Sequence, residues 1–188
     1  EEAPYQINSL SRLLGFSRSV AEGNSYEGQF FELTRDLDLG GLNLNHGSWN
    51  PIGWYQNAAQ LSGNVSNSFK GTFDGDGHTI SGLKIVNISK NLQNVGLFGV
   101  LDGAVVKNLV IEDARVYGYN HVGILAGQIK GESVITDVTV EGTAAANTSS
   151  GGYASDAAVG GLAGKIFGSS SGSRATIENV TATVNTVN

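Results

Sequence analysis

The phrase "HVGILAG" at 121–127 has two near-copies, "NVGLFG" at 94–99 and "AVGGLAG" at 158–164. This repetition constrains the fold more than any other feature of the chain, because self-similar units imply stacking. A single short unit cannot bury its apolar face alone, whereas stacked copies bury a continuous core. Val95, Val122 and Val159 open the phrases as strand residues, and the interior glycines let neighbouring backbone come close.

A second family of fragments repeats beside the first. "SGLKI" covers 81–85, "KNLVI" 107–111, "TDVTV" 136–140 and "ENVTA" 178–182. Their central residues Leu83, Leu109, Val138 and Val180 are spaced by 26, 29 and 42 positions. The first two spacings suit one turn of a β-solenoid. The third suits one turn plus an insertion, placed near 144–156 in "AAANTSSGGYASD". "FGSSSGSRA" at 167–175 reads as a second surface loop.

Alternation within each fragment has the period of two that marks a strand with one buried face. It turns Leu83/Ile85, Leu109/Ile111, Val138/Val140 and Val180/Ala182 inward, and Lys84, Val110, Thr139 and Thr181 outward. Gly82, Asn108, Asp137 and Asn179 precede the strand cores. These residue types tolerate left-handed backbone, so a recurring bend is expected, with Asn and Asp side chains bonded along the stack. An antiparallel sandwich would instead show hairpin pairs every 8–12 residues or so.

The expectation is therefore an all-β fold, a right-handed parallel β-helix with an N-terminal capping α-helix, forming one domain over 1–188. The helix is expected over about 9–22, with β-coils from about 27 to 188. Leu10, Leu13, Leu14 and Val20 fall on one helical face, Asn8 or Ser9 offers a cap, and Gly23 stands past the end. Such a lid covers the open edge that a solenoid leaves. Early strands are read in "QFFELTRDLDLGG", with a turn at Gly40-Gly41. A tight turn is read at Asp74-Gly75 or Asp76-Gly77.

The residues "FKGTFDGDGHTISGLKI", followed by the "VGLFG", "VGILAG" and "VGGLAG" phrases, resemble the GLUG-motif repeat family. "NSYEGQFFELTRDLDL…WNPIG" is similar to the segment preceding such repeats, and the likeness covers most of 5–184. The resemblance implies a right-handed parallel β-helix of the pectin-lyase-like type, as in modules of large bacterial surface proteins, adhesins and IgA-cleaving metallopeptidases. It implies a scaffold or binding part rather than a catalytic one, and carries no defined functional residues.

Composition narrows the function classes. The net charge is −6 and no Lys/Arg cluster occurs, which disfavours nucleic acid and anionic lipid. No apolar run approaches the roughly 18 residues of a membrane span. The chain has no cysteine, so disulfides and thiolate-bound zinc are excluded. "EEAPYQ" reads as a cut end rather than a leader.

Catalysis is sought residue by residue, because β-helices also carry lyases and glycosidases. Asp74 and Asp76 are the closest acid pair, but Asp-Gly is also an ordinary turn signal. Lys84 and Lys107 form no basic cluster facing the acids. His46, His78 and His121 lack zinc-motif spacing. No catalytic residue, metal ligand or cofactor is assigned. Aromatics in polar loops are the best binding candidates: Trp54, Tyr55, Tyr117 and Tyr119, with Trp49 read as core.

The function expected is a non-catalytic module of a secreted or surface-anchored bacterial protein, an adhesive surface or rigid spacer. Its partner would be a host glycan or glycoprotein, without nucleic acid or membrane insertion, and the isolated domain would be a monomer. The alternatives are a substrate-positioning domain of an extracellular IgA-protease-like peptidase, or a polysaccharide lyase or glycosidase.

Overall fold

The computed structural model describes residues 3–41, 49–54, 67–86, 93–146, 158–168, 172 and 174–186. Strand β1 (Tyr5–Ile7) precedes helix α1 (Leu10–Ala21), and β2 (Phe30–Leu33) and β3 (Leu37–Asp38) follow. Next come β4 (Thr72–Asp74), β5 (Thr79–Ser81), β6 (Lys84–Val86), β7 (Gln93–Val95), β8 (Phe98–Asp102) and β9 (Val105–Gly118). The remainder is β10 (Asn120–Val122), β11 (Ala126–Lys130), β12 (Val134–Ala146), β13 (Ala163–Ile166) and β14 (Thr176–Thr186).

Every strand pairing among the described residues is parallel. The largest sheet runs β1-β2-β4-β9-β12-β14, with β5 and β6 also on β9 and β3 on β5. A second sheet runs β8-β11-β13, and the bridges Ile52–Phe98 and Phe69–Leu101 extend it toward the N-terminus. A third pairs β7 with β10, and Val122 bridges on to Val159.

The chain visits these sheets in a fixed order. β7, β8 and β9 are followed by β10, β11 and β12, and then by Val159, β13 and β14. This cycle explains the repeated phrase, which leads each time from the third sheet into the second. Gly127 and Gly164 close successive copies. A Cβ on Gly127 would collide with the backbone of Asn94, and one on Gly164 with the backbone of His121. Each pass must meet the previous one at the same close approach, so each carries the same glycine.

Apolar residues facing inward form one continuous core. Leu109, Val138 and Val180 stand in register, Val138 opposite both of the others. Leu83 does not join them. Lys84 pairs with Arg115 and Ile85 with Val116, which puts Leu83 beside Ala114. The cause lies in β9, where "NLVI" at 108–111 and "DARV" at 113–116 carry the same bend-and-alternate pattern five residues apart. The repeat therefore fits two registers, and only pairing chooses. Gly82 accordingly belongs with Asp113, while Asn108, Asp137 and Asn179 form the other bend column; all five have positive φ, between 51° and 68°.

Helix α1 lies across the N-terminal end. Ser9 caps it by accepting the Arg12 N–H, and Gly23 follows with φ 109°. Leu13, Phe16, Ser17 and Val20 are its buried stripe. Leu14 is exposed and Leu10 half-buried, a correction to the expected face. The spacing 13-16-17-20 sets one side of the helix, and Leu14 stands about 100° away from Leu13. Phe16 packs on Phe31, Phe69 and Phe73 with ring centroids 4.4, 5.3 and 6.0 Å apart. Asn67 ties the helix end down by donating to the Ala21 carbonyl at 2.7 Å.

Two further expectations change at their edges. Ala144–Ala146 belong to β12, with Ala144 and Ala145 buried, so only the rest of the expected insertion at 144–156 is left, and 147–156 lie outside the described residues. Of the expected loop at 167–175, residues 169–171 and 173 also lie outside. The tight turn falls at Asp76-Gly77, both with positive φ, and Trp49 is buried as expected.

Candidate functional site

Several of the acids are engaged in holding turns and strands. Asp74 takes the Lys107 amine at 2.8 Å, the Asn108 amide at 3.0 Å and the Asp76 backbone N–H at 2.9 Å. Burial pushes its carboxyl up, but these donors outweigh burial and leave its pKa lowered. Asp76 is exposed in the turn itself, at φ 49°. The pair is thus a turn whose first acid is anchored to the neighbouring pass. Asn179 donates to Asp137 at 3.1 Å, a second bond between passes at the bend column.

Asp36 accepts the Thr79 N–H at 2.9 Å and pairs with His78 at 3.1 Å. The Thr79 bond first, and then the His78 bond, hold its pKa below the ordinary carboxylate value. His121 is buried, with Nδ1 2.9 Å from Asn94 Oδ1 and 3.0 Å from Gln128 Nε2. Among the described residues no group of three or more His, Asp or Glu side chains could hold a metal ion. His46 lies outside the described residues.

Of the four aromatics singled out from sequence, the three among the described residues do not meet. Tyr55 lies outside the described residues, and no ring contact joins Trp54, Tyr117 and Tyr119. Trp54 is half-buried and packs against the core. Tyr117 is half-buried on β9, in register with Val86 and Ala145. Tyr119 is only 7% exposed.

The aromatic constellation that does form lies elsewhere, where α1 meets β1 and β2. A cleft of about 340 Å³ is lined there by Tyr5, Arg12, Gly15, Phe16, Tyr26 and Phe31, among others. Tyr5 is 53% exposed and stacks on Phe31, ring centroids 5.0 Å apart and planes 23° apart. Tyr26 stands edge-on to Phe31 at 4.8 Å, and its hydroxyl meets Ser19 Oγ at 2.6 Å. Arg12 donates to the Gln6 carbonyl at 3.1 Å, and no described carboxylate pairs with it. The cleft's volume falls at the small end of ligand sites, which run from about 300 to 1,000 Å³. Sequence reasoning passed over it because Tyr5, Arg12 and Tyr26, though all near the N-terminus, belong to a strand, a helix and a loop whose relative placement no local pattern gives. The one available signal was Gly15, a glycine inside an otherwise regular helix.

Comparison with known proteins gives three results. No protein-family model matches the chain. A halomucin from Haloquadratum walsbyi is 38% identical over 153 residues, which is 80% of this chain and 2% of the halomucin. The chain therefore spans about 2% of the length of the curated relative it matches. The crystal structure of a candidate immunoglobulin A1 protease from Bacteroides ovatus is similar in fold, with a TM-score of 0.54 over 97% of this chain and 67% of that one, at 18% identity. That likeness extends the parallel-strand architecture to a solved structure. Among the described residues no helix is long and apolar enough to cross a membrane.

Proposed function

We propose that this chain is a right-handed parallel β-helix module of a secreted or surface-anchored protein, and that it binds rather than catalyses. The observation that carries the reading is the fixed order in which the chain visits three parallel sheets around one core. Such an architecture stacks like units into a rigid body with long exposed faces. The halomucin match supports a part of a much longer chain, since 153 aligned residues make up only 2% of that protein. The engagement of Asp74 with Lys107 and Asn108 supports a binding role, because an acid tied into the scaffold is poorly placed for proton transfer.

A second reading has an observation of its own. The likeness to the candidate immunoglobulin A1 protease, over 97% of this chain, favours an accessory module that positions a glycoprotein for a peptidase. A glycan and glycoprotein binding array on the purified chain tests both readings. Glycan binding without turnover supports the first, and selective binding of immunoglobulin A supports the second. Turnover of a uronate polymer or host glycan, abolished by Asp74→Asn, would instead make the chain a lyase or glycosidase.

A further inference from the structure

We propose that the cleft beneath the capping helix is a binding site for an acidic pyranose, a hexuronate or a sialate. The inference rests on the binding-module reading and gives it a site and a ligand class.

The first support is the pairing of an exposed ring with a buried aromatic wall. Tyr5 leaves half of its surface open while its ring stacks on Phe31, so it is held in place rather than free to rotate. Phe16 and Phe31 are buried and Tyr26 is half-buried behind it. A fixed aromatic face next to a small cavity suits the C–H face of a sugar ring, which is apolar, while the ring's hydroxyls remain in water.

Gly15 is the second support, and it is independent of the first. Glycine is among the poorest residues for a helix interior, so its presence needs a reason. Backbone conformation supplies none, since Gly15 sits within regular α1 without positive φ. Packing supplies none either, because a Cβ built there meets nothing within 4 Å. Yet Gly15 lines the cleft. Its missing side chain keeps the space over the helix clear for a ligand.

The third support is charge. Arg12 lies on the same lining, and one of its N–H groups is committed to the Gln6 carbonyl. That bond orients the guanidinium and leaves other donors for a partner. Among the described residues no acid stands on the lining, although the chain as a whole carries a net charge of −6. A guanidinium beside an aromatic face selects a ring that bears a carboxylate, which Arg can take in a bidentate fork. A proline-rich peptide also seats on aromatic grooves but brings no carboxylate for Arg12.

The test is an NMR titration of the whole chain with methyl β-glucuronide, N-acetylneuraminate and methyl β-glucoside. The backbone amides of Gln6 and Gly15 should shift with the two acidic sugars, and the comparison of those two identifies the source. Methyl glucoside should bind about tenfold more weakly. Arg12→Gln, an exposed change that leaves the fold intact, should remove the preference for the acids. Tyr5→Ala should weaken all three sugars about three- to tenfold. Gly15→Leu should block the cleft, with a melting curve confirming that the helix persists. Equal affinity for neutral and acidic rings, or undiminished binding by Arg12→Gln and Gly15→Leu, would overturn the proposal. Sugar binding with shifts confined to other faces would overturn it too, while leaving the module a binder. Seating of a proline-rich peptide in place of the sugars would assign the cleft to peptide. Failure of every glycan and glycoprotein on the array would remove the broader reading as well.

Discussion

The two ends of the stack are built from the same kind of strand but are buried differently. At the N-terminal end α1 covers the first passes, and Leu13, Phe16, Phe31, Phe69 and Phe73 are all buried beneath or within it. At the β13–β14 end no helix lies over the sheet among the described residues. Val138 is fully buried, while Val180, its register partner one pass further on, is only half-buried. Ile166 and Ile177 are 49% and 38% exposed. In a parallel stack each pass is covered by the next, so burial measures neighbours rather than residue type. The same valine column thus carries different free energy at different heights.

The largest expected effect tests the covered end. Leu13→Asp removes a fully buried leucine and brings a charge under the lid, and should cost about 2–5 kcal/mol. Chemical denaturation reads it directly. An unchanged midpoint would show that α1 does not seal the end.

A pair of glycines should give opposite signs. Gly127→Ala drives a methyl into the backbone of the neighbouring pass and should destabilise by about 1–3 kcal/mol. Gly15→Ala meets open space in a helix and should stabilise by about 0.5–1 kcal/mol. Equal effects would mean that the interior passes are not in the close register described.

The valine column sharpens the comparison further. Val138→Ala should cost roughly 1.5 kcal/mol, at about 0.8 kcal/mol for each methyl-sized group removed from full burial. Val180→Ala should cost less than half as much. If the two were equal in thermal unfolding, something would have to cover β14 in solution.

The smallest difference is expected between the two acids that bond to a neighbouring pass. Asp74→Asn weakens a half-buried cluster with Lys107 and should cost about 1 kcal/mol near neutral pH, while Asp137→Asn at an exposed bend should cost less. Folding lowers the Asp74 pKa from its ordinary value of 3.8, so its contribution is present above that pH and is lost as pH falls through the lower folded value. The gap between wild type and Asp74→Asn should therefore close in acid. A gap that stays constant below pH 3.8 would mean that the carboxylate charge is not what the cluster uses.

Much of this was legible in the residues themselves. The triple phrase, the positive-φ residues Asn108, Asp137 and Asn179, and the inward alternation of Leu109/Ile111 and Val138/Val140 are local properties. Local sterics and solvation decide them wherever the fragment sits. The helix, its Ser9 cap and its Gly23 stop were readable for the same reason. Register was not. Leu83 has the local signature of Leu109, but β9 repeats that signature five residues later, and only the whole hydrogen-bonded ladder favours Ala114 as its neighbour. The cleft was further out of reach. Tyr5, Arg12 and Tyr26 lie on β1, α1 and the segment before β2, and their meeting depends on how the lid is seated. Tyr119 shows the converse: a turn-like aromatic that the sequence presents as available, and that packing buries. Backbone preference acts over a few residues and is written in order along the chain. Which side chains share a cleft is set by how separate elements pack, here β1, α1 and β2, and that packing exists only once the lid is seated.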